Sequence, residues 1–166
     1  TRIAGSPGAQ DRYLNEQNWH IVEQLRTWLH ECGMDAAIVE TAGGVHSPSP
    51  SGSSQADLLR PLRLPTILVG SSVLGGISST RASFESLRMR GYDIDVVLMF
   101  TSPYYGNDTY LAQYFVEHGI PLFTIEKPPA RVADTPTDVA RMQTYYQHTL
   151  TTMAEVVQYL ADQHAR

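Results

Sequence analysis

The stretch PTILVGSSVLGGISST, residues 65–80, decides how this chain folds. PTILVGS, residues 65–71, is a continuous apolar run of the kind found in strands buried on both faces. Two glycines and a serine-rich helix start follow it. Across SVLGGISSTRASFESLRMRGYD, residues 72–93, Ile77, Phe84, Leu87 and Met89 predict a helix that Gly91 ends. A second apolar run, DVVLMF (residues 95–100), comes directly after. Strand, helix, strand in this order implies a parallel pair joined by a right-handed crossover.

Working outward, the same alternation continues on both sides. NDTYLAQYFVEHG (residues 107–119) predicts a helix with Asn107 or Asp108 as N-cap and Gly119 as stop, and IPLFTIE (residues 120–126) a further strand. After Lys127-Pro128-Pro129, a last long helix should bury Val139, Met142, Tyr146, Met153, Val157 and Leu160 on one face. Upstream, residues 1–11 read as a loop. From Asn15 onward, Trp19, Val22, Leu25, Trp28, Leu29 and Cys32 recur at helical spacing up to Gly33. Residues 34–39 predict a first short strand, and residues 55–64 a short helical turn in which Pro61 fits near the end or at a new start. Residues 47–54 form the only low-complexity segment, a flexible serine-rich loop. The expected fold class is α/β, a parallel sheet with helices on both faces.

With 166 residues, the chain has the size of one domain. Its net charge of -5 disfavours a nucleic-acid surface. No apolar run approaches the roughly 20 residues of a membrane span. The single cysteine, Cys32, forms no internal disulfide and reads as a small core residue. The chain begins at Thr1 rather than Met, which leaves room for a processed presequence or an upstream region.

Two constellations carry candidate chemistry. Ligands of open parallel sheets bind beyond the carboxyl ends of the strands. Glu40 would stand at such an end, before Gly43 and Gly44. It reads either as a magnesium contact, since that ion takes oxygen ligands and keeps several waters, or as a solvated acid. The turn Leu74, Gly75, Gly76, Ile77, Ser78 reads either as a helix start receiving an anion or as a plain strand-to-helix turn. Tyr104 and Tyr105, after the strand at residues 95–100, would stack on a base, cover a pocket or cap the sheet. His46 reads as loop surface. No G-x-x-x-x-G-K-[ST] loop occurs in the chain, so its own residues supply no phosphate cradle.

VETAGGVHSP (residues 39–48), followed by QADLLRPLRLPTILVGSSVLGGISST (residues 55–80), resembles dethiobiotin synthetase. That family carries E-G-A-G-G-x-x-x-P, then a short helix with Asp, an LP-x-x-LV strand and an L-G-x-I-[NS] turn. Here these are Glu40-Thr41-Ala42-Gly43-Gly44 with Pro48 close behind, and Leu74-Gly75-Gly76-Ile77-Ser78. ETAGG, GGIS and ESLRMRGYD are similar to the synthetase part of eukaryotic bifunctional proteins, where a diaminopelargonic acid aminotransferase follows. The resemblance is strong over residues 35–95 and weaker to residue 129.

The resemblance implies a P-loop NTPase-like fold lacking its N-terminal phosphate-loop unit. It implies ATP- and Mg²⁺-dependent closure of the ureido ring of 7,8-diaminononanoate with CO₂, in biotin biosynthesis. An amine forms a carbamate, ATP phosphorylates it, and the second amine closes the ring. Glu40 would contact Mg²⁺, with Thr41, Ala42 and Gly43 near the nucleotide. Residues 74–78 would hold the diamine's carboxylate, across the interface of a homodimer. No catalytic side chain is assigned. Residues 1–130 would be a partial synthetase domain, and 131–166 a helical linker toward an aminotransferase, in a mitochondrial or cytoplasmic protein. The isolated chain would be incomplete as an enzyme. The family's glycine-rich loop and its lysines are absent, and Thr41 replaces a glycine. Phe100-Thr101 replaces an Asn-Asp near the adenine, so that Tyr104, Tyr105 or residues 126–128 would stand in. The alternatives are a non-catalytic half-domain serving dimerisation or docking of an aminotransferase, and another P-loop ligase or ATPase of the same fold.

Overall fold

The computed structural model describes residues 7–34 and 36–164, with side chains from residue 16 onward. Residues 1–6, the beginning of the expected N-terminal loop, lie outside the described residues. The elements are α1 (Pro7–Glu31), α2 (Gln55–Leu59), a 3-10 turn (Arg60–Leu62), β1 (Thr66–Gly70), α3 (Gly76–Met89), β2 (Ile94–Phe100), α4 (Asn107–Glu117), β3 (Leu122–Ile125) and α5 (Thr135–His164). They form two compact units: the chain up to Leu64 with residues 85–93, and residues 65–84 with 94 onward.

The second unit holds the sheet, whose three strands run parallel in the order β1-β2-β3. The expected α/β class is thus borne out. Register pairs Leu68 with Val97 and Leu98 with Phe123. Leu68, Val96, Val97 and Met99 are buried in the strands, and Phe84, Leu111 and Phe115 in the helices. Phe84 of α3 meets Phe115 of α4 edge to face, with ring centroids 5.1 Å apart. This joins the two crossover helices into one layer. The stop at Gly119 is as expected: its amide donates to Val116 O and that of Ile120 to Phe115 O, which satisfies the last carbonyls of α4.

Helix α5 packs on β2 and β3. Asp134 caps its start by accepting from the Thr137 amide, and buried Asp138 accepts from the Val132 amide at 3.0 Å. The expected buried stripe is rotated, however. Val156 is buried, whereas Val139, Tyr146 and Val157 are exposed. An apolar stripe tells that a helix has a face, but two stripes compete here. The one that includes Val156 and Tyr159, with Tyr159 near Phe123 (6.2 Å), meets the sheet.

Three other expectations change. Residues 34 and 36–39 form no strand, and Ile38 is 87% exposed. An apolar run becomes a strand only where a neighbour takes up its backbone groups, and none among the described residues does so. Helix α1 begins at Pro7, inside the expected loop, because proline suits the first helical turn. It buries Val22, while Trp19 and Trp28 are exposed and Cys32 is only half-buried.

The serine-rich loop is built rather than loose. Ser49 and Ser51 are buried. Ser49 Oγ lies 2.8 Å from Ser51 Oγ and 2.9 Å from Ser53 Oγ, and Ser51 donates to Asn18 of α1. Pro48 and Ser54 form an antiparallel bridge. Small hydroxyl side chains allow this packing because each both donates and accepts.

Ser54 then caps α2, accepting from the Asp57 amide at 3.0 Å. The Ser54 hydroxyl holds the Asp57 carboxyl below its usual range, and the Arg90 guanidinium adds to the effect, with Nε 2.9 Å from Oδ1. Pro61 opens the 3-10 turn, as expected for a new start. Tyr92 donates to Ala56 O at 2.6 Å. Burial, with nearby Asp57, pushes its hydroxyl up from 10 to about 12. The folded state therefore prefers the protonated phenol. Its contribution is complete below pH 10 and is lost as pH rises through about 12. We expect the urea-unfolding free energy to fall across that window, and Tyr92→Phe to remove this share of the fall. An equal alkaline loss in the variant would show that Tyr92 is not its source.

Candidate functional site

The carboxyl ends of β1 and β2 in the second unit create one rim. β1 ends at Gly70, and the chain turns outward through residues 71–75. The Ser71 amide donates to Thr80 Oγ1 (2.9 Å), which ties the strand end to the second turn of α3. The Gly76 amide donates to Val73 O (2.9 Å), and the first α-helical bond closes from Ser79 N to Gly75 O (3.0 Å). The amides of Ile77 and Ser78 precede that closed turn, where helix geometry offers no acceptor. Gly75 has φ of 79°, and Leu74 is 80% exposed. The turn thus projects Leu74 outward, spends the Gly76 amide on itself and leaves those of Ile77 and Ser78 for an acceptor.

Asn107 locks this turn. It was expected as a helix cap, but Gly106 takes that position and Asn107 is the first residue of α4. Its buried side chain donates from Nδ2 to Ser71 O (3.1 Å) and Val73 O (2.8 Å). The loop after β2 is thereby bound to the loop after β1. An asparagine after a glycine at a strand end was the available signal, but a cap and a loop clamp look alike in sequence. The same loop carries Tyr104, which is 84% exposed, and Tyr105, with ring centroids 4.8 Å apart at 85°.

Glu40, Thr41, Ala42 and Gly43 belong to the first unit, and residues 74–78 to the second. Glu40 does not end a strand, contrary to expectation, because the segment before it is not one. It is exposed, as are Thr41, Ala42, Gly43 and Gly44. Thr41 Oγ1 donates to Gly43 O (2.7 Å), and the Ser47 amide donates to Gly44 O (2.9 Å). The Ala56 amide reaches Val45 O, so this loop is tied to the start of α2. His46 is exposed, in keeping with a loop-surface residue. Among the described residues, no group of three or more His, Cys, Asp and Glu side chains converges on a metal position. No helix among them is long and apolar enough to cross a membrane.

A parallel sheet with its functional loops at the carboxyl rim is the frame of many nucleotide-binding folds. The model of one family, described as an AAA domain, matches residues 9–124. The chain belongs to the AAA-domain family. Membership bears out the expected nucleotide-binding type of fold. Curated relatives bear out the narrower resemblance. A bifunctional dethiobiotin synthetase/adenosylmethionine-8-amino-7-oxononanoate aminotransferase of Emericella nidulans is 56% identical over 107 residues, which is 64% of this chain and 14% of the relative. A mitochondrial bifunctional dethiobiotin synthetase/7,8-diamino-pelargonic acid aminotransferase of Arabidopsis thaliana is 46% identical over 63% of this chain and 13% of its own length. An ATP-dependent dethiobiotin synthetase BioD of Phenylobacterium zucineum is 38% identical over 61% of this chain and 40% of its own length. The chain thus spans well under half the length of these relatives, and this AAA-domain chain corresponds to one part of each.

Proposed function

We propose that this chain forms part of an ATP- and Mg²⁺-dependent dethiobiotin synthetase, which closes the ureido ring of 7,8-diaminononanoate with CO₂ in biotin biosynthesis. What supports this reading is the likeness to dethiobiotin synthetases over both candidate loops, residues 40–44 and 74–78. The second loop has a geometry suited to the task. The Ile77 and Ser78 amides at the start of α3 receive the diamine's carboxylate, with the helix dipole behind them. The Asn107 clamp holds Ser71 and Val73, so the amides are oriented before substrate arrives.

Glu40, Thr41, Ala42 and Gly43 line the nucleotide. An exposed carboxylate fits magnesium carried on nucleotide phosphates, the mode in which that ion keeps waters and takes one or two protein oxygens. Held there by Glu40, magnesium would supply neutralisation of charge on the phosphates. The chain's own contribution is to place Glu40 at the end of a loop fixed by Thr41, Ser47 and Ala56.

Residues 1–130 form the synthetase part. Residues 131–166 lead toward an aminotransferase domain, and α5 covers β2 and β3 on the way. The working unit is a homodimer, in mitochondria or cytoplasm. The experiment is an assay of the protein as its gene encodes it, with ATP, bicarbonate and 7,8-diaminononanoate. Dethiobiotin and ADP should appear together, and omission of the diamine should stop ADP release. A folded protein that binds the diamine without turnover would instead be the non-catalytic half-domain.

A further inference from the structure

Arginines gather on and around the 3-10 turn Arg60–Leu62, all within the first unit. Two of them are taken up by acids. Arg26 of α1 pairs with Glu23, and Arg90 places Nε 2.9 Å from Asp57 Oδ1. Arg60 and Arg63 are exposed and form no ion pair among the described residues, in a chain whose net charge is -5. Arg60 opens the turn and Arg63 caps it. In 3-10 geometry, side chains three positions apart lie on one side of the turn. Arg63 takes φ of 53°, and its Nη1 donates to Gly91 O (3.3 Å), which ties it to the end of α3.

Both arginines line one open pocket of about 220 Å³, together with Leu64, Gly91, Tyr92 and Asp93. Pockets for organic ligands begin at roughly 300 Å³, so this one has the size for a small ion. The Tyr92 hydroxyl is turned to Ala56 O (2.6 Å), which leaves the two guanidiniums and the Asp93 carboxylate as the polar side-chain groups of the lining. Asp93 is exposed and forms no ion pair among the described residues either.

We infer that Arg60, Arg63 and Asp93 form a binding site for inorganic phosphate. Like charges on one side of a turn repel, and an oxyanion between them removes the repulsion while its oxygens accept from both guanidinium forks. The carboxylate chooses the anion. An ionised Asp93 only accepts hydrogen bonds, so it repels sulfate, which carries no proton at neutral pH. Phosphate keeps a hydroxyl at that pH and donates it to Asp93. None of residues 40–44 or 74–78 lines this pocket, so the inference stands apart from the proposed function.

The test is calorimetric titration of phosphate and of sulfate, at matched ionic strength, into the protein as its gene encodes it and into Arg60→Gln and Asp93→Asn. The parent should bind phosphate about 10-fold more tightly than sulfate, the worth of one hydrogen bond to a charged group. Arg60→Gln should weaken phosphate by a similar factor of roughly 10. Asp93→Asn should narrow the gap between the two anions. Phosphate should also raise the urea-unfolding midpoint of the parent more than that of Arg60→Gln, since a ligand that binds the folded state stabilises it. Equal affinity for the two anions in the parent would overturn the inference, because that is the behaviour of a diffuse ion atmosphere. Unchanged phosphate affinity in a folded Arg60→Gln variant would overturn it too, by placing phosphate elsewhere on the protein. A gap as wide in Asp93→Asn as in the parent would remove Asp93 from the site. Circular dichroism of each variant separates loss of binding from loss of fold.

Discussion

On the proposed function, Glu40→Gln should lower Mg²⁺- and ATP-dependent turnover on the order of 100-fold and leave the urea-unfolding midpoint in place. The two halves of this expectation come from the same fact. Glu40 is exposed. Its carboxylate therefore supports no packing, and an amide of equal size disturbs nothing in the fold. What the amide lacks is the negative charge. If that charge holds magnesium on the nucleotide, the variant requires more magnesium for half-maximal rate, and added magnesium recovers part of the turnover. A variant with the parent's turnover and magnesium dependence would remove Glu40 from the site. A variant that unfolds earlier would show the side chain to be structural.

The second large effect is on stability. Gly76→Ala should cost about 3 kcal/mol in urea unfolding, at the top of the range for added bulk in a packed site. A Cβ built at Gly76 lies 2.1 Å from Ser71 O and 2.6 Å from Asn107 Nδ2. The first is backbone, and the second is the side chain that holds Ser71 and Val73. Neither swings aside without breaking the clamp. Its neighbour is the control. A Cβ at Gly75 meets nothing within 4 Å, but φ of 79° is a conformation that L side chains rarely adopt. Gly75→Ala should therefore cost about 1 kcal/mol, from backbone conformation alone. Equal costs at the two positions would mean that the Ser71–Asn107 contact does not constrain the turn.

These two sites illustrate how unevenly the chain could be read. The two adjacent glycines were visible in the sequence as a turn, read either as a helix start receiving an anion or as a plain strand-to-helix turn. That Gly75 serves backbone conformation and Gly76 close approach was not visible, because the difference lies in Ser71 and Asn107, the latter 31 positions away from Gly76. Asn107 itself was legible only as a helix cap. The serines of residues 47–54 read as a flexible loop, since composition does not report which hydroxyls face one another. Ser51 turns inward because Asn18, on α1, offers it an acceptor.

Local pattern was enough for β1, β2 and β3, for the helices between them and for the stops at Gly91 and Gly119. In each, periodicity, a capping signal and the alternation of elements agree, and a parallel α/β unit is the arrangement that satisfies them together. The motif residues 40–44 and 74–78 were equally plain, because they are contiguous in the chain. Non-local contact settled the rest. Residues 36–39 form no strand, because no neighbour among the described residues takes up their backbone groups. Helix α5 turns Val156 inward in preference to Tyr146 and Val157. Asn107 becomes a clamp between two strand ends. Hydrophobic periodicity fixes that a segment has an inside, but the surface it meets selects which side that is, and such a surface is assembled from residues far apart in the chain.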